Sequence, residues 1–320
     1  MIATVYVVGH RNPDADSICT AIAYAALKQR LGHSEIQPAR AGELDDETTF
    51  VLEHFGVPVP KLLEDAAGLE LILVDHNETA QALPHIEQAH ILEVWEHHRI
   101  GDLRTAEPIV FHSEPLGATA TLICEQYRLH GIEPSRVMAG MLLAAIWSDT
   151  VNLRSPTTSE KDRRMAAWLQ PLAGVDASFV ETMLRVKSSA VIARNPAKLV
   201  REDYKEFEFD VGRVGISQVE VMDADALALR KQEILSEMRA LRDTAGLTQE
   251  ILMITDMQAR ASELWVVGDR IDLFERALGP SSDGCTRLPG VMSRKQQVVP
   301  LLEQAFTTGN APASGEEESV

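Results

Sequence analysis

The chain has 320 residues, of which 45% are apolar and 24% charged, and its formal net charge at pH 7 is −18. This length accommodates two domains of ordinary size, and the composition is typical of a globular protein. The negative charge argues against broad nucleic-acid binding because phosphate backbones would be repelled, and no apolar run of about 18 residues predicts a membrane span.

The N-terminal segment MIATVYVVGHRNPDAD contains no basic stretch and becomes acidic early, so we expect no signal peptide. The cysteines, Cys19, Cys124 and Cys285, lie far apart and form no C-x-x-C motif. They predict neither a disulfide framework nor a thiolate metal site, and the reducing cytoplasm is the expected location.

Short β-rich runs alternate with longer helical patterns through the first half of the chain. TVYVVGH predicts a buried strand, and the helix that follows, SICTAIAYAALKQRLG, has apolar residues near helical spacing and a glycine at its end. Two more strands, LELILVDH and HILEVWEHH, and two more helices, GATATLICEQYRLHG and PSRVMAGMLLAAIWSDT, continue the alternation. This order predicts an α/β domain whose parallel sheet is covered by helices on both faces.

A hairpin pattern marks a second region: in KEFEFDVGRVGISQVEV, apolar residues alternate with acidic ones before a turn. A helix, DALALRKQEILSEMRALRDTAG, and two strands, ILMITDM and ELWVVGD, follow it. We predict an N-terminal domain over residues 1–188, a hinge linker over 189–196, a smaller C-terminal α/β domain with a mixed sheet over 197–308, and a disordered tail over 309–320.

Acidic residues and histidines follow several of the predicted elements in the first half. They lie in the segments GHRNPDADS, LVDHNE, VWEHHR and IWSDT. Ligands of a parallel α/β sheet gather beyond the carboxyl ends of its strands, so we expect the fold to bring these distant segments together. The candidate metal ligands are His10, Asp14, Asp16, Asp75, His97 and Asp149.

Four carboxylates and two imidazoles suffice for two divalent cations when one carboxylate bridges them. Mixed oxygen and nitrogen donors suit Mn, Co, Fe or Zn better than Mg alone. Two ions about 3.5–4 Å apart would hold a shared water, lower its pKa and aim it at phosphorus. Such cations would also explain why Asp14 and Asp16 are tolerated one residue apart.

Each motif taken alone has a simpler explanation. A D-x-D after a strand is usually a solvated loop or a helix N-cap, and adjacent histidines are more often a surface pair than ligands. We favour metal binding because four clusters occupy matching topological positions. The run Asp45, Asp46 and Glu47 is predicted to be solvated. The other histidines are predicted to be surface or satisfied core residues: His33, His54, His85, His90, His112 and His130.

Basic residues in the second region are candidates for binding an anion. Arg294 and Lys295 stand side by side in GVMSRKQQVVP, and Lys205 lies in DYKEF at the entry of a predicted strand. An arginine next to a lysine offers a bidentate fork and a point charge to phosphoryl oxygens. A single basic residue is more often a solvated side chain, so these three gain weight mainly from the resemblance described next.

Six separated motifs, in this order and spacing, resemble a known group of proteins. The first four, GHRNPDADS, VDHNE, EHHR and WSDT, resemble the DHH phosphoesterase superfamily. The last two, DYKEF and SRKQQVVP, narrow the resemblance to the family II, manganese-dependent inorganic pyrophosphatases. The resemblance covers residues 1 to about 308, nearly the whole chain, and it makes the N-terminal domain a DHH domain.

The resemblance implies roles for individual residues. His10, Asp14 and Asp75 would hold one metal ion, and Asp75 would bridge to the other. The second ion would be held by Asp16, Asp75, His97 and Asp149. His98 would act as a proton donor or phosphate contact, and Lys205, Arg294 and Lys295 would bind the terminal phosphate groups. The family further implies two Mn²⁺ or Co²⁺ ions per subunit, Mg²⁺ accompanying the substrate, a homodimer joined through the N-terminal domain, and a cytoplasmic location.

The predicted activity is hydrolysis of inorganic pyrophosphate to two phosphates by a metal-bridged hydroxide at a two-metal site between the domains. The predicted partner is pyrophosphate, with no nucleic acid and no membrane. The alternative is another DHH enzyme, a short-chain polyphosphatase or an oligonucleotide phosphodiesterase. A non-catalytic metal-binding or scaffold protein is a third hypothesis, and it predicts no phosphate release with manganese.

The sequence departs from the family pattern at two residues. Glu96 stands where the family has the first Asp of its Asp-His-His motif, and Gln296 stands where many relatives have a second lysine. A residue that orients a ligand can change metal affinity or activity 10–100-fold when it is replaced. The chain also runs straight on where some relatives carry a nucleotide-binding insert, so we predict no adenylate regulation of that kind.

Overall fold

The computed structural model describes residues 3–210 and 212–307 and divides the chain into two compact units, with the division between Lys187 and Ser188. The predicted tail over 309–320 lies outside the described residues. The predicted domain boundary at 188 and the hinge over 189–196 remain predictions. The helix Ala177–Ala193 runs through the first five residues of that segment, however, so they are not an irregular linker. Within the described ranges, no helix is both long and apolar enough to cross a membrane.

A parallel sheet forms the centre of the first unit, as the alternating pattern predicts. Its strands lie in the order β3-β2-β1-β4-β5-β6, and each neighbouring pair is parallel. Leu71, Ile72, Leu73 and Val74 are successive residues with at most 1% exposure, so both faces of the central strand β4 are covered. The strands are β1 (Val5–Val8), β2 (Ile36–Arg40), β3 (Lys61–Leu62), β4 (Glu70–Val74), β5 (His90–Glu96) and β6 (Val110–Ser113).

Helices connect and cover these strands. The helix after β1 begins where the Asp14 side chain accepts a hydrogen bond from the Ser17 amide, and it buries apolar residues such as Ile18 and Leu27. The elements that were not predicted are β2, which contains a proline, α2, which starts in the acidic run, and β3, β6, α5 and α6. The helices are α1 (Ala15–Arg30), α2 (Asp46–Phe55), α3 (Thr119–Leu129), α4 (Arg136–Asp149), α5 (Glu160–Ala173) and α6 (Ala177–Ala193).

The second unit contains a mixed sheet, also as predicted. Its order is β11-β10-β9-β8-β7; β8 and β9 are parallel and the other pairs antiparallel. The predicted hairpin is the β7–β8 pair. Apolar clusters containing Leu252 and Ile251 pack against the sheet. The strands are β7 (Lys205–Phe209), β8 (Gly212–Val221), β9 (Gln249–Asp256), β10 (Ala261–Gly268) and β11 (Cys285–Pro289).

The helices of the second unit differ from the prediction, which contained one helix and did not include α7, α10 or α11. The single helix predicted over 225–246 is two helices, because the chain turns at Leu229 and Arg230 and leaves Leu229 90% exposed. Arg294–Val298 forms one turn of π-helix. The helices are α7 (Pro196–Leu199), α8 (Ala224–Ala228), α9 (Lys231–Ala245), α10 (Ile271–Leu278) and α11 (Val299–Thr307).

Candidate metal centre

The strand order places a crevice where the candidate ligands lie. From β1 the chain adds strands toward one edge of the sheet, and from β4 it adds them toward the other, so β1 and β4 are neighbours at a topological switch point. Ligands of open α/β sheets bind outside the carboxyl ends of the strands at such a point. His10 follows β1, Asp75 follows β4 directly, and His97 follows β5 directly.

Asp75 lies at the centre of the cluster and contacts both histidines. His10 Nε2 is 3.4 Å from Asp75 Oδ2 and 3.7 Å from Asp14 Oδ1. On the other side, His97 Nε2 is 3.3 Å from Asp75 Oδ1 and 3.8 Å from Asp149 Oδ2. The structure therefore brings all the sequence-predicted metal ligands of the first unit together, with the two oxygens of Asp75 facing opposite histidines.

The donor atoms form two groups that share Asp75, and within each group they all lie within 4.8 Å of one another. The first group is His10, Asp14 and Asp75; the second is Asp16, Asp75, His97 and Asp149. A third such group, Asp75, His97 and His98, overlaps the second. The first two groups have the same membership as the two ligand sets that the resemblance implies.

The backbone at Asp75 is constrained. Its φ is +63°, in the left-handed region that aspartate adopts more readily than most residues but still at some cost. The Asp75 amide donates to the Trp95 carbonyl at 2.9 Å, and the Thr119 hydroxyl donates to Asp75 Oδ1 at 3.1 Å. These contacts hold a carboxylate with only 1% exposure at the end of β4.

Asp16 joins α1 to α3. Its carboxylate accepts hydrogen bonds from the Thr119 amide at 2.6 Å and the Ala120 amide at 2.9 Å, the first two amides of α3. Ala118, at the N-cap of α3, has no side chain able to cap the helix. Asp16 is thus fixed in place by the free amides of a helix N-terminus.

The electrostatics of the cluster favour a cation. Burial, together with the charge of Asp75, raises the pKa of Asp16 well above its usual range, and burial with the charge of Asp14 does the same for Asp149. Burial also opposes ionisation of Asp75, but the adjacent imidazoles of His10 and His97 outweigh it and hold the pKa of Asp75 well below its usual range. So many acidic groups in one buried place need positive charge among them.

The residues present fit a metal ion. The His97 Nδ1–H donates to the Leu116 carbonyl oxygen at 3.0 Å, which is the contact that orients a metal-binding imidazole. Its buried Nε2 atom, which faces the carboxylates, has no hydrogen-bond partner among the described residues. An unpartnered imidazole nitrogen among carboxylate oxygens is a mixed N and O donor set of the kind that Mn²⁺ accepts.

The chain is similar to known proteins over nearly its whole length. The model of the DHH family N-terminal domain matches residues 4–146, and the model of the DHHA2 domain matches residues 181–305. The manganese-dependent inorganic pyrophosphatase of Methanothrix thermoacetophila is 43% identical over 310 residues, covering 96% of this chain and 99% of the relative. The chain belongs to the family II, manganese-dependent inorganic pyrophosphatases.

Other members of the family show the same extent of similarity. The manganese-dependent inorganic pyrophosphatase of Methanocaldococcus jannaschii is 40% identical over 311 residues, covering 94% of this chain and 99% of the relative. A crystal structure described as a family II inorganic pyrophosphatase from Methanococcus jannaschii superposes with a TM-score of 0.77 at 40% identity. It covers 95% of this chain and 99% of that one, so the predicted α/β fold is confirmed.

Glu96, which stands in place of the first Asp of the expected Asp-His-His motif, forms hydrogen bonds with His98. The Glu96 side chain has 0% exposure, and its Oε1 accepts from the His98 backbone amide and lies 2.7 Å from His98 Nδ1. His98 is 55% exposed, with Nδ1 3.9 Å from Asp75 Oδ1. With Nδ1 engaged by Glu96, Nε2 is the ring nitrogen that remains for another partner.

The basic side chains that are predicted to bind phosphate lie in the second unit. Arg294 is only 5% exposed; Nη2 donates to Asp203 Oδ2 at 2.8 Å, and Nη1 donates to the carbonyls of Ile216, at 3.0 Å, and Asp203. Lys205 Nζ is 3.9 Å from Asp203 Oδ1, and Lys295 is exposed. Sequence reasoning did not single out Asp203, although it lies two residues before Lys205.

The prediction that the acidic run at the start of α2 is solvated is wrong for Glu47, although Asp46 is exposed. Asp45 is the N-cap of α2 and accepts from the Thr48 amide at 2.6 Å. Glu47 is 1% exposed, and its Oε2 accepts from the Ser148 hydroxyl at 2.8 Å. Sequence reasoning missed Glu47, Ser148 and their neighbour Lys187; the one local signal was the position of Ser148 next to Asp149 in IWSDT.

Proposed function

We propose that this chain hydrolyses inorganic pyrophosphate to two phosphates with two Mn²⁺ ions, one in each ligand group. The observation that carries the proposal is the sharing of Asp75 by two compact sets of N and O donors. The family membership supports the substrate and the metal, since the relatives described above carry both in their names. Co²⁺ is proposed as a substitute for Mn²⁺, and Mg²⁺ as the ion that accompanies the substrate.

The metal ions would lower the pKa of a shared water, the hydroxide of the predicted mechanism, and neutralise charge on phosphoryl oxygens. The rest of the chemistry falls to side chains. His98, held through Nδ1 by Glu96, is proposed to donate a proton or a hydrogen bond to the departing phosphate through Nε2. Lys205, Arg294 and Lys295 are proposed to bind the phosphate oxygens, because charge neutralisation dominates phosphoryl transfer.

We also propose that the chain forms a homodimer through its first unit and acts in the cytoplasm, as the family resemblance implies. Strand β6 lies at the edge of the parallel sheet, where Val110 is 53% and Phe111 40% exposed. An exposed edge strand with apolar side chains is a ready surface for pairing with a second copy. This supports the dimer independently of the resemblance.

The test is a phosphate-release assay that compares pyrophosphate, tripolyphosphate and a dinucleotide, each with Mn²⁺, Co²⁺ or Mg²⁺. We expect pyrophosphate with Mn²⁺ or Co²⁺ to be turned over fastest, and Asp149→Ala to lose nearly all of that activity. The exposed Asp46 supplies the matched control, Asp46→Ala, which should retain it.

Three outcomes would contradict the proposal. Preference for tripolyphosphate or the dinucleotide would favour another DHH phosphoesterase. No release of phosphate with manganese would favour a non-catalytic metal-binding protein. Near wild-type turnover in Asp149→Ala would overturn the metal assignment.

A further inference from the structure

A polar triangle of two buried residues and a lysine that is 23% exposed lies beside the candidate metal centre, in the same unit. It consists of Glu47 at the start of α2, Ser148 near the end of α4 and Lys187 on α6. Lys187 Nζ donates to Ser148 Oγ at 3.2 Å and lies 3.6 Å from Glu47 Oε2, while the Ser148 hydroxyl donates to Glu47 Oε2 at 2.8 Å. Glu47 Oε1 has no hydrogen-bond partner among the described residues.

Burying the polar groups of this triangle costs free energy. Glu47 and Ser148 are 1% and 0% exposed, and burial raises the pKa of Glu47 to about 7. A buried ion pair gives little net stability, because the cost of removing both charges from water offsets their attraction. A stabilising role alone is therefore a weak explanation for it.

The three helices are already joined by apolar contacts. Phe179 of α6 stacks on Phe50 of α2 with 5.6 Å between ring centroids, and it packs at 6.4 Å from Trp147 of α4. These aromatic side chains bury large apolar areas, which stabilise the packing of the three helices. The helices are therefore packed together without the polar triangle, and the triangle instead fixes how they are oriented.

The hydrogen bonds of the triangle lie next to a candidate metal ligand. Ser148 precedes Asp149, the last residue of α4, and helix ends fray when nothing fixes them. Beyond Asp149 the chain leaves the helix, with Val151, Asn152 and Leu153 all at positive φ. The Ser148 hydroxyl donates to Glu47, so the last turn of α4 is tied to α2 and α6 from the side.

We propose that Glu47 and Lys187 are positioning residues, which act through the Ser148 hydroxyl to hold Asp149 facing Asp75 and His97. The inference rests on the proposed function, because it takes Asp149 as a ligand of the second metal ion. The residue pairs Glu47–Ser148 and Lys187–Ser148 would then control the affinity of one metal site and leave the other unchanged.

The test measures Mn²⁺ binding to the full chain by calorimetry, without pyrophosphate. Wild type should bind two ions, and Asp149→Ala identifies the class of site that depends on α4. Ser148→Ala removes only the bridging hydroxyl and should weaken that same class by 10–100-fold. Ser148→Thr keeps a hydroxyl and should restore most of the affinity.

Glu47→Ala is the second variant and should weaken the same class. Its matched control is Glu250→Ala, which removes another buried glutamate, but in the second unit, and should leave both affinities unchanged. Denaturant unfolding of the metal-free variants shows whether each has folded.

The outcomes separate the two proposals. Two bound ions with unchanged affinities in Ser148→Ala and Glu47→Ala would overturn this inference alone, as would an equal loss at both sites. A wild-type chain that binds no Mn²⁺ would overturn the proposed function and this inference with it.

Discussion

A single side chain, Asp75, illustrates how much depends on conformation at the residue scale. Its position after a buried strand marks it as a candidate ligand, and in the structure its backbone lies in the left-handed region while its two oxygens face different histidines. No feature of VDHNE specifies that turn. The carbonyl of Trp95 and the hydroxyl of Thr119 hold it.

Buried glutamates show the opposite case, in which sequence context misleads. Glu47 lies in an acidic run that predicts a solvated segment, yet it is 1% exposed. Glu250 lies on a strand and is 0% exposed. Their surroundings come from residues about a hundred or about thirty positions away, Ser148 and Ser217. Because these partners are distant in the chain, no local sequence pattern predicts the contacts.

Glu250 makes the stability of the second unit depend on pH. Burial raises its pKa from an ordinary 4.5 to about 8, so the folded chain holds a proton that the unfolded chain releases between those values. The stability that Glu250 contributes is thus present below pH 4.5 and is lost as the pH rises through 8. We expect Glu250→Gln to gain stability relative to wild type by roughly a few kcal/mol between pH 5 and pH 9.

The measurement is urea unfolding of the metal-free protein at several pH values, followed by circular dichroism. The control is Glu208→Gln, since Glu208 is exposed on β7 and its replacement should leave the pH dependence as it is in wild type. A wild-type pH profile retained by Glu250→Gln would contradict the prediction.

At the element scale, helix α3 depends on a cap from another helix. The amides of Thr119 and Ala120 donate to Asp16, about a hundred residues earlier in the chain, because Ala118 has no side chain able to accept them. Local capping patterns therefore fail to predict where α3 begins. The same carboxylate is a candidate metal ligand, so helix structure and metal centre share one residue.

This sharing predicts a difference between two variants of Asp16. Asp16→Asn and Asp16→Ala both remove the charge, but only asparagine keeps an oxygen that accepts from the start of α3. We expect metal-free Asp16→Asn to be more stable than Asp16→Ala by about 1 kcal/mol, the usual value of a helix cap. Urea unfolding measures the difference, and hydrogen exchange over residues 119–129 should be faster in the alanine variant. Equal stability and equal exchange would contradict it.

At the scale of the whole molecule, net charge and metal binding act together. The chain carries a formal net charge of −18, and part of that charge is concentrated in the four clustered aspartates of the first unit. Cations bound there would relieve repulsion in the folded state and have no comparable site in the unfolded one. Metal binding should therefore stabilise the first unit more than the second.

We expect Mn²⁺ at a hundred times its dissociation constant to stabilise the first unit by about 2.7 kcal/mol per independent site. The comparison is with EDTA-treated protein, by thermal unfolding and by hydrogen exchange resolved along the chain. Protection should rise around β1, β4 and the end of α4. Asp75→Asn, which alters the shared ligand, should lose most of the effect; retention of the full effect would contradict the shared role of Asp75.

The sequence alone determined the fold class, the family and the identity of the candidate ligands, because these depend on local periodicity and on motifs at the ends of strands. It also predicted the hairpin and the mixed sheet of the second region, whose alternation is equally local. The break between α8 and α9 was missed, since no glycine or proline marks it.

Only the tertiary structure decided which groups are buried and what they contact. Glu47 meets Ser148 across 101 positions, and Arg294 meets Asp203 across 91. Burial changes the ionisation of such groups, and the partners that compensate for it come from whichever elements the fold places alongside. The donor types of the candidate metal centre can thus be predicted from motifs along the chain, whereas the geometry that positions them depends on contacts that exist only after folding.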